Sequence, residues 1–245
     1  MPTVREEATA IQRRYYSETA AEYEQMHAHE GTGDAFNQEF IRAMLQMLGA
    51  RSVLDVGTAT GYRLHDLRSA LPGAFLCGVE PVDALLGVAR RNGVLSTGSL
   101  ICGTGLSLPF ADKSFDVVCE FATLHHVPRP DIVVREMLRV AKKAVLISDS
   151  NRFGQGSLLA CLVKLAMYKT HTWQFFDWVR TKGKRYRITD GDGVSYSYSI
   201  YDSFHLLASW ADRLLIVPSE GGKARSWFHP LLNSAGVVVF AIKEN

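Results

Sequence analysis

Short apolar runs alternate with amphipathic stretches through the first two thirds of the chain. The runs predict strands at residues 53–56, 75–80, 100–102, 115–119 and 144–148. Between them, apolar residues recur every three or four positions, and this spacing predicts helices at residues 63–71, 83–92 and 131–140. Strands that are apolar on both faces are typical of a parallel sheet covered by helices. The pattern therefore predicts a doubly wound α/β domain.

Both ends of the chain depart from this alternation. Residues 3–30 and 36–48 have the spacing of amphipathic helices. Residues 158–179 have a helical pattern too, and the glycine-rich stretch ITDGDG predicts a hairpin between residues 185 and 200. A helix at 202–210 precedes two closing strands at 214–217 and 237–242, with no clear helix between them. We therefore predict a seven-stranded sheet that is mostly parallel, with an antiparallel last strand.

Composition places few limits on the function. The 245 residues are 47% hydrophobic and 21% charged, and a net charge of +2 gives no argument for nucleic-acid binding. Four cysteines without CxxC spacing predict buried thiols rather than disulfides. The first ten residues are polar, and the longest apolar stretch is too short to span a bilayer. We therefore expect a cytoplasmic protein without a transmembrane segment.

A glycine turn follows the first predicted strand in the sequence VLDVGTATGY. Gly57 and Gly61 allow a ligand to approach the backbone closely at the start of a helix. Glu80 ends the next strand, 25 residues after Asp55, where an acidic side chain suits the two hydroxyls of a ribose. Ligands bind beyond the carboxyl ends of parallel strands, so both features belong to one site. The turn lacks the GxGxxG spacing of a dinucleotide site, and we predict no pyrophosphate cradle.

Several segments, taken in order, resemble the class I S-adenosylmethionine-dependent methyltransferases of the small-molecule type. They are YYSETAAEYEQMH, VLDVGTATGY, VEP, and LSLPFADKSFDVVCEFATLHHVPRP followed by REMLRV. The resemblance implies a Rossmann-like fold and S-adenosylmethionine as the cofactor. It also implies a single methyltransferase domain over residues 1–245, with an N-terminal lid at 1–35 and a substrate-cap insertion at 151–204.

The resemblance further implies which residues contact the cofactor. Asp55 would orient the glycine turn and the ammonium group of the cofactor, while Gly57 would leave room for its ribose and amino-acid end. Glu80 would accept the ribose hydroxyls. Thr104 stands where family members often carry an aspartate for the adenine, and Ala59 replaces the middle glycine of the family loop. The full expected set is Tyr16, Asp55, Gly57, Thr58, Gly61, Glu80, Pro81, Thr104, Gly105, Leu106 and Glu120.

Methyl transfer to a hydroxyl requires alignment of the nucleophile and a base that removes its proton. His125 and His126 follow the fourth strand, where each is either a base or a structural residue of the turn. Asp149 ends the fifth strand and is a candidate base, a ligand of substrate hydroxyls or a helix cap. Together with Asn151 it leaves open a divalent cation such as magnesium, but two oxygen ligands and a nearby imidazole are too few to predict a metal site. His171 is a further candidate base.

Residues 151–190 are basic and aromatic. They carry eight Lys or Arg and two Asp, a net charge of +6, so the rest of the chain carries −4. The aromatic residues are Trp173, Phe175, Phe176, Trp178 and Tyr186. Aromatic faces beside basic groups suit sugars, phosphorylated or carboxylated small molecules, and lipid headgroups. The alternative is a small satellite core whose lysines are solvated.

These observations predict an enzyme that methylates an oxygen of a polar small molecule. A saccharide or a glycosylated natural product is the preferred acceptor. C-methylation of a quinone or lipid that docks on residues 158–168 is the alternative within the same class. A non-catalytic nucleotide-binding partner protein is the alternative outside it. We expect no DNA partner and consider RNA a weaker option, and the sequence leaves the oligomeric state open.

Overall fold

The computed structural model describes residues 3–27, 33–94, 99–219 and 230–244, without the side chains of 33–36 and 230. Within these ranges the chain forms nine strands. They are β1 (Ser52–Val56), β2 (Phe75–Glu80), β3 (Leu100–Cys102), β4 (Phe115–Phe121), β5 (Ala141–Ser150), β6 (Tyr186–Thr189), β7 (Gly193–Tyr196), β8 (Arg213–Pro218) and β9 (Gly236–Ile242). Seven of them form one sheet in the order β3-β2-β1-β4-β5-β9-β8, and β6 and β7 form a hairpin.

The sheet confirms the predicted Rossmann-like topology. Strands β1 to β5 are parallel, with β1 at the centre between β2 and β4. The last strand, β9, is antiparallel to β5 and to β8, and it lies between them. The chain order reverses at β1, so the carboxyl ends of β1 and β4 border the crevice in which doubly wound sheets bind ligands.

Helices cover both faces of the sheet. The described helices are α1 (Val4–Thr19), α2 (Tyr23–His27), α3 (Gly33–Met47), α4 (Tyr62–Ala70), α5 (Asp83–Arg91), α6 (Pro130–Val140), α7 (Leu158–Lys169), α8 (Trp173–Arg180), α9 (Phe204–Trp210) and α10 (Pro230–Asn233). One core cluster joins α3, α4 and α5 to one face, and the other joins α6 and α9 to the opposite face. Strands that are buried on both faces explain the apolar runs in the sequence.

Two predicted helices are each divided in the structure. The helix predicted at 3–30 becomes α1 and α2, with a break at residues 20–22, and residues 28–30 lie outside the described ranges. The helix predicted at 158–179 becomes α7 and α8, because His171 adopts a left-handed φ of 59° between them. The apolar spacing continues across both breaks, so periodicity alone does not reveal either corner.

The predicted hairpin is present as β6 and β7, and α1 packs against it. Ala8 of α1 shares a small buried cluster with Tyr186 of β6 and Val194 of β7. The first helix and the segment after β5 therefore meet, although they are far apart in sequence. No helix in the described ranges is long and apolar enough to cross a membrane.

Candidate functional site

A cavity of about 150 Å³ lies at the carboxyl ends of β1, β2 and β4. Residues predicted to contact the cofactor line it, namely Tyr16, Gly57, Glu80, Pro81, Thr104, Gly105 and Leu106. Gln12, Arg13 and Thr123 line it as well, and the sequence analysis did not single them out. The fold thus brings most of the predicted set to one place.

Glu80 is held at the end of β2 by the backbone of two turns. One carboxylate oxygen accepts the Val82 amide at 2.9 Å, and the other accepts the Ala59 amide at 3.1 Å. Burial raises the pKa of Glu80 to about 7, and these two amides oppose the shift. The carboxylate is therefore fixed in orientation where it lines the cavity, and each oxygen keeps further capacity to accept a hydrogen bond.

The glycine turn is fastened to the end of β2. The amides of Gly57 and Thr58 both donate to the Val79 carbonyl, at 2.8 and 3.1 Å. Gly57 has a φ of 81°, and a Cβ at this position would lie 2.4 Å from Oγ1 of Thr123. Position 57 therefore requires glycine for two reasons: the backbone is left-handed there, and a side chain would collide with Thr123 in the turn after β4. Ala59, in place of the family's middle glycine, has a φ of 48°, which strains an alanine.

Three residues of the predicted set support the cavity from behind and do not line it. Gly61 has a φ of 74° and precedes α4, and a Cβ there would lie 3.0 Å from the Val94 side chain. Thr58 packs over Gly78, so the predicted direct contacts of Thr58 and Gly61 need correction. Asp55 is buried, and burial raises its pKa to about 7. Its Oδ1 has no hydrogen-bond partner among the described residues.

Glu120 also differs from its predicted role as a cofactor contact. Its side chain is buried under the turn after β4, where one oxygen accepts the amides of Thr123 at 2.5 Å and Leu124 at 3.2 Å. Burial and the neighbouring Asp149 raise the pKa of Glu120 well above its ordinary value. Glu120 therefore supports this turn from inside the protein and does not line the cavity.

His125 is oriented by Asp149 at the end of β5. Nδ1 of His125 lies 2.8 Å from Oδ1 of Asp149, and Oδ2 accepts the amides of Leu124 and His125 at 2.8 and 3.3 Å. The Asp149 side chain is fully buried. Burial by itself would raise the pKa of Asp149, but His125 holds it below its ordinary value. Asp149 is thus hydrogen-bonded to the His125 ring, and its predicted role as a base or ligand stays a prediction.

Asp149 was predicted to cap the segment after β5, but it caps the turn after β4 instead. Its carboxylate caps the 3-10 turn Leu124–His126 that follows β4. The segment after β5 is capped instead by Asn151, whose side chain accepts the Phe153 amide at 3.1 Å. Asn151 is buried within this cap and does not point with Asp149 toward a shared cation.

His126 faces the cofactor cavity and contacts the hairpin. Its Nδ1 lies 2.6 Å from the Val194 carbonyl, and its Nε2 lies 3.1 Å from Oδ1 of Asp192. Oδ2 of Asp192 lies 3.5 Å from Nε2 of His125. Burial would raise the pKa of Asp192, but the two imidazoles hold it well below its ordinary value. The sequence analysis missed Asp192, because the ITDGDG pattern predicts a turn and not what the turn contacts.

Tyr16 of α1 reaches the same group of side chains. Its hydroxyl lies 3.3 Å from Nε2 of His126 and 3.4 Å from Oδ1 of Asp192. Burial and Asp192 raise the pKa of Tyr16 well above its ordinary value, so the phenol stays neutral. One turn earlier, Nε2 of Gln12 donates to the Asp192 carbonyl at 3.2 Å, and its Oε1 accepts the Val194 amide. Helix α1 and the hairpin therefore close together over the cavity.

Two larger cavities, of about 750 and 330 Å³, border residues 151–204. They share the walls formed by Arg152, Trp173 and Tyr196, so they are two parts of one recess. His125 lines the smaller part. His171 lines the larger part at the corner between α7 and α8, and it does not belong to the close group formed by the other two histidines.

Basic side chains dominate the walls of this recess. Arg152 is buried, pairs with Asp202 and lies over the Trp173 ring at 5.3 Å. Arg180 pairs with Asp177 at 2.6 Å. Among the described residues, Arg185 and Arg187 have no ion-pair partner, and both line the smaller cavity. Guanidinium groups without a protein partner suit carboxylate and phosphate groups.

Comparison with known proteins finds methyltransferases. Residues 54–147 match the family model described as a methyltransferase domain. An uncharacterized methyltransferase of Mycobacterium avium is 37% identical over 92 residues, covering 38% of this chain and 36% of that protein. Another, from Mycobacterium marinum, is 31% identical over 129 residues, covering 53% and 46%. The matched region thus spans about a third to a half of the length of these curated relatives.

The fold is similar to solved structures over nearly the whole chain. The magnesium protoporphyrin IX methyltransferase of Synechocystis with bound S-adenosylmethionine superposes with a TM-score of 0.60 at 14% identity, covering 97% of each chain. A methyltransferase of Thermotoga maritima has a TM-score of 0.56 at 19% identity, covering 94% of this chain and 99% of that one. Residues 54–147 therefore match a methyltransferase domain, and the sheet order and these superpositions show that the chain has the fold of S-adenosylmethionine-dependent methyltransferases.

Proposed function

We propose that this chain is an enzyme that transfers a methyl group from S-adenosylmethionine to a hydroxyl of a polar, anionic small molecule, with a saccharide or glycosylated natural product as the preferred type. One observation carries this proposal. His126 lines the cofactor cavity, and the adjacent His125 lines the basic recess. The two cavities meet at neighbouring residues of one turn, which is where a methyl donor and its acceptor need to meet.

The residues of the smaller cavity fit the cofactor. Glu80 is oriented to accept two ribose hydroxyls, and Pro81 and Leu106 supply apolar walls for an adenine. The unpartnered Oδ1 of Asp55 is an acceptor beneath the turn for the ammonium end, directly or through a water. When bound, the cofactor supplies an electrophilic methyl group with a good leaving group. Thr104 lines the expected adenine end with a hydroxyl that already accepts the Leu106 amide at 3.3 Å.

Residues 1–35 act in this proposal as the lid. The cavity of about 150 Å³ is smaller than the roughly 300–1,000 Å³ that ligand sites usually occupy. Helix α1 fills part of the space with Gln12, Arg13 and Tyr16. Ligand entry therefore requires α1 to move, and the contacts of Gln12 and Tyr16 with the hairpin are the ones that have to open.

His125 in its neutral form is the proton acceptor in this proposal. Burial would lower the pKa of His125, but Asp149 and Asp192 raise it well above its ordinary value, so the proposal requires that the ring first gives up its Nε2 proton. Asp149 accepts a hydrogen bond from Nδ1, so Nε2 is the nitrogen that is turned toward the recess. Asp192 lies 3.5 Å from this nitrogen, which is long for a charge-assisted hydrogen bond. An acceptor hydroxyl that takes the place of the Asp192 carboxylate can pass its proton to Nε2 as the methyl group is transferred.

Residues 151–204 act as the cap that selects the acceptor. The recess combines aromatic faces, tyrosine hydroxyls and the arginines without partners. Trp173 and Tyr196 suit the apolar faces of a sugar ring, while Arg185 and Arg187 suit a phosphate or carboxylate on the same molecule. This combination favours a charged, hydroxyl-rich acceptor over a neutral aromatic one.

A second candidate is methylation of a lipid or quinone acceptor. The observation that favours it is the exposed apolar surface of α7 and α8. Its large exposed residues are Leu158, Leu159, Leu162, Val163, Phe175, Phe176, Trp178 and Val179. Surfaces of this kind commonly mark docking sites for membranes or partners. Binding to lipid vesicles would favour this candidate, and its absence would favour the soluble acceptor.

Labelled S-adenosylmethionine tests the proposal directly. The full-length chain is incubated with pools of phosphorylated and uncharged saccharides, quinones and RNA, and label transfer is followed. Transfer to a charged saccharide pool is expected, and the product is analysed for an O-methyl group. Transfer to quinones or RNA only would overturn the acceptor class. Cofactor binding without transfer to any pool would favour a non-catalytic nucleotide-binding protein. A cytoplasmic location and the absence of a DNA partner stay predictions from the sequence.

A further inference from the structure

The two histidines of the turn after β4 use the same ring nitrogen for structural hydrogen bonds. Nδ1 of His125 lies 2.8 Å from a carboxylate oxygen of Asp149, and Nδ1 of His126 lies 2.6 Å from the Val194 carbonyl. Carbonyl and carboxylate oxygens only accept, so both Nδ1 atoms carry the proton. Each ring therefore has only Nε2 left to offer to a ligand, and this nitrogen has a free lone pair when the ring is neutral.

The two Nε2 atoms converge on one carboxylate. Nε2 of His126 lies 3.1 Å from Oδ1 of Asp192, and Nε2 of His125 lies 3.5 Å from Oδ2. All three ligand atoms lie within 4.8 Å of one another. Ligands about 2.0–2.1 Å from a tetrahedral zinc ion are separated from one another by about 3.3 Å. The separations of 3.1 and 3.5 Å lie on either side of this value, so they are compatible with a bound ion.

We propose that His125, His126 and Asp192 form a binding site for a divalent transition-metal ion, such as zinc, between the cofactor cavity and the recess. Two imidazoles and one carboxylate are a common ligand set for catalytic zinc and for other N- and O-ligated transition metals. The hydrogen bonds from both Nδ1 atoms to a carboxylate and a carbonyl are the support that metal-ligating histidines usually have. Magnesium prefers oxygen ligands, so this site differs from one built on Asp149 and Asn151.

The Tyr16 hydroxyl of α1 lies where a fourth ligand of the ion would bind. The Tyr16 hydroxyl lies 3.3 Å from Nε2 of His126 and 3.4 Å from Oδ1 of Asp192, so α1 closes that position in this conformation. Once α1 moves, an acceptor hydroxyl has access to it. A metal ion there would lower the pKa of that hydroxyl and would replace His125 as the group that activates it. This catalytic role rests on the proposed function, whereas metal binding itself does not.

Metal binding is tested on the full chain with zinc and without any acceptor. The apo protein, prepared with a chelator, is titrated with Zn²⁺ by calorimetry, and thermal unfolding is followed with and without the ion. The expected result is one bound ion for each chain and a higher midpoint of unfolding. Cobalt is the second probe, because visible absorption by Co²⁺ reports coordination by four or five ligands.

Matched variants locate the site. Asp192→Ala lies in a half-exposed turn and is expected to remove zinc binding, whereas Asp190→Ala in the same turn is expected to retain it. His125→Ala is paired with His65→Ala, which changes an exposed histidine on α4. Asp149→Asn disturbs the support of one ligand and is expected to weaken zinc affinity by about 10–100-fold.

The outcomes separate this proposal from the proposed function. Absence of zinc binding to the folded wild-type chain, or equal binding by Asp192→Ala and Asp190→Ala, overturns the metal site and leaves methyl transfer intact. Zinc binding that depends on Asp192, in a chain that methylates no acceptor, supports the site and removes the proposed function. Methyl transfer that a chelator leaves unchanged overturns the catalytic role of the ion, even if zinc binds.

Discussion

The Asp149 carboxylate holds both the backbone and the ring of His125. It accepts the His125 amide at 3.3 Å and lies 2.8 Å from Nδ1 of the same residue. A residue at the end of β5 therefore sets the direction of an imidazole that follows β4. Because Asp149 is fully buried, the proposed function gives it the role of positioning His125 and not of touching a substrate.

Replacement of Asp149 by Asn separates positioning from binding. The native oxygens accept four N–H groups, whereas the amide group of Asn presents two donors of its own, so an unmatched buried donor costs about 1–3 kcal/mol of folding free energy. We expect turnover of the folded variant to fall by about 10²–10⁴-fold, the usual contribution of a positioned base. Cofactor affinity, measured by calorimetry, should stay near the wild-type value.

Asp116→Asn is the matched control for that variant. Asp116 is also buried and accepts the Arg51 amide at 2.8 Å. It lies near the amino end of β4, however, whereas Asp149 lies near the carboxyl end of β5. We expect it to lose stability without losing turnover per folded molecule. Equal losses of turnover in the two variants would show that Asp149 acts through general stability alone.

Replacement of Glu80 by Ala tests the ribose contact. Loss of hydrogen bonds to a charged acceptor costs about 1.5–3 kcal/mol, so we expect the dissociation constant for S-adenosylmethionine to rise by roughly 10–150-fold. Asp83→Ala is the control, because Asp83 lies three residues further on and is exposed at the start of α5. Wild-type affinity in Glu80→Ala would remove Glu80 from the cofactor site.

The pH dependence of cofactor affinity follows from the same residue. Burial raises the pKa of Glu80 in the ligand-free chain to about 7, above its unfolded value of 4.5. The ionised form is the better acceptor for ribose hydroxyls, so affinity should rise as the pH increases through about 7 and level off above it. Calorimetric titrations of the wild type and Glu80→Gln between pH 6 and pH 8 check this, since the Gln variant should lose that part of the dependence. If cofactor affinity depends on pH in the same way in the wild type and in Glu80→Gln, a group other than Glu80 is responsible.

The same pKa has the opposite effect on folding stability. The folded chain holds the Glu80 proton more tightly than the unfolded chain does. This contribution to stability is therefore complete below about pH 4.5 and is lost as the pH rises through about 7. Cofactor affinity and apo stability at this residue are expected to change in opposite directions across that interval.

Replacement of Gln12 by Ala tests the movement of α1. The Gln12 side chain makes two hydrogen bonds to the hairpin backbone, with the Asp192 carbonyl and the Val194 amide. Without them we expect faster hydrogen exchange in residues 4–19 and faster release of S-adenosylmethionine in stopped-flow measurements. Gln46→Ala removes a hydrogen bond to the Ala70 carbonyl between α3 and α4 and serves as the control. Unchanged release in Gln12→Ala would count against α1 as a lid.

Replacement of Arg187 by Ala tests the charge of the acceptor. Arg187 lines the recess and has no ion-pair partner among the described residues. A lost hydrogen bond to a charged group is expected to raise KM for an anionic acceptor by about 10-fold, which corresponds to about 1.5 kcal/mol. Lys182→Ala removes a cation from the same segment outside the cavity walls and is the control. An equal effect on a neutral analogue of the acceptor would contradict recognition of the anion.

The sequence predicts the strands of the sheet and the candidate cofactor residues, because each of them depends on a pattern of neighbouring residues. Strands β2 and β3 both fall on the predicted residues, and in β2 burial on both faces produces the apolar run that marks the strand. Glu80 is recognisable because an acidic residue at the end of such a strand has a known position relative to the preceding glycine turn. Both inferences require only neighbouring residues and the regular geometry of a βαβ unit.

The roles of Asp149 and Asp192 depend on contacts between distant parts of the chain. From the sequence alone, Asp149 is equally a candidate base, ligand or cap, and only the structure gives its 2.8 Å distance to Nδ1 of His125. Asp192 lies 180 residues from Gln12, yet its backbone accepts a hydrogen bond from that side chain. The sequence alone determines where the sheet, the glycine turn and the Glu80 carboxylate lie, because the alternation of buried strands and helices fixes their order and spacing. Only the tertiary structure decides which side chains meet above the sheet, because the packing of α1, the hairpin and the turns sets those distances and no local pattern records them.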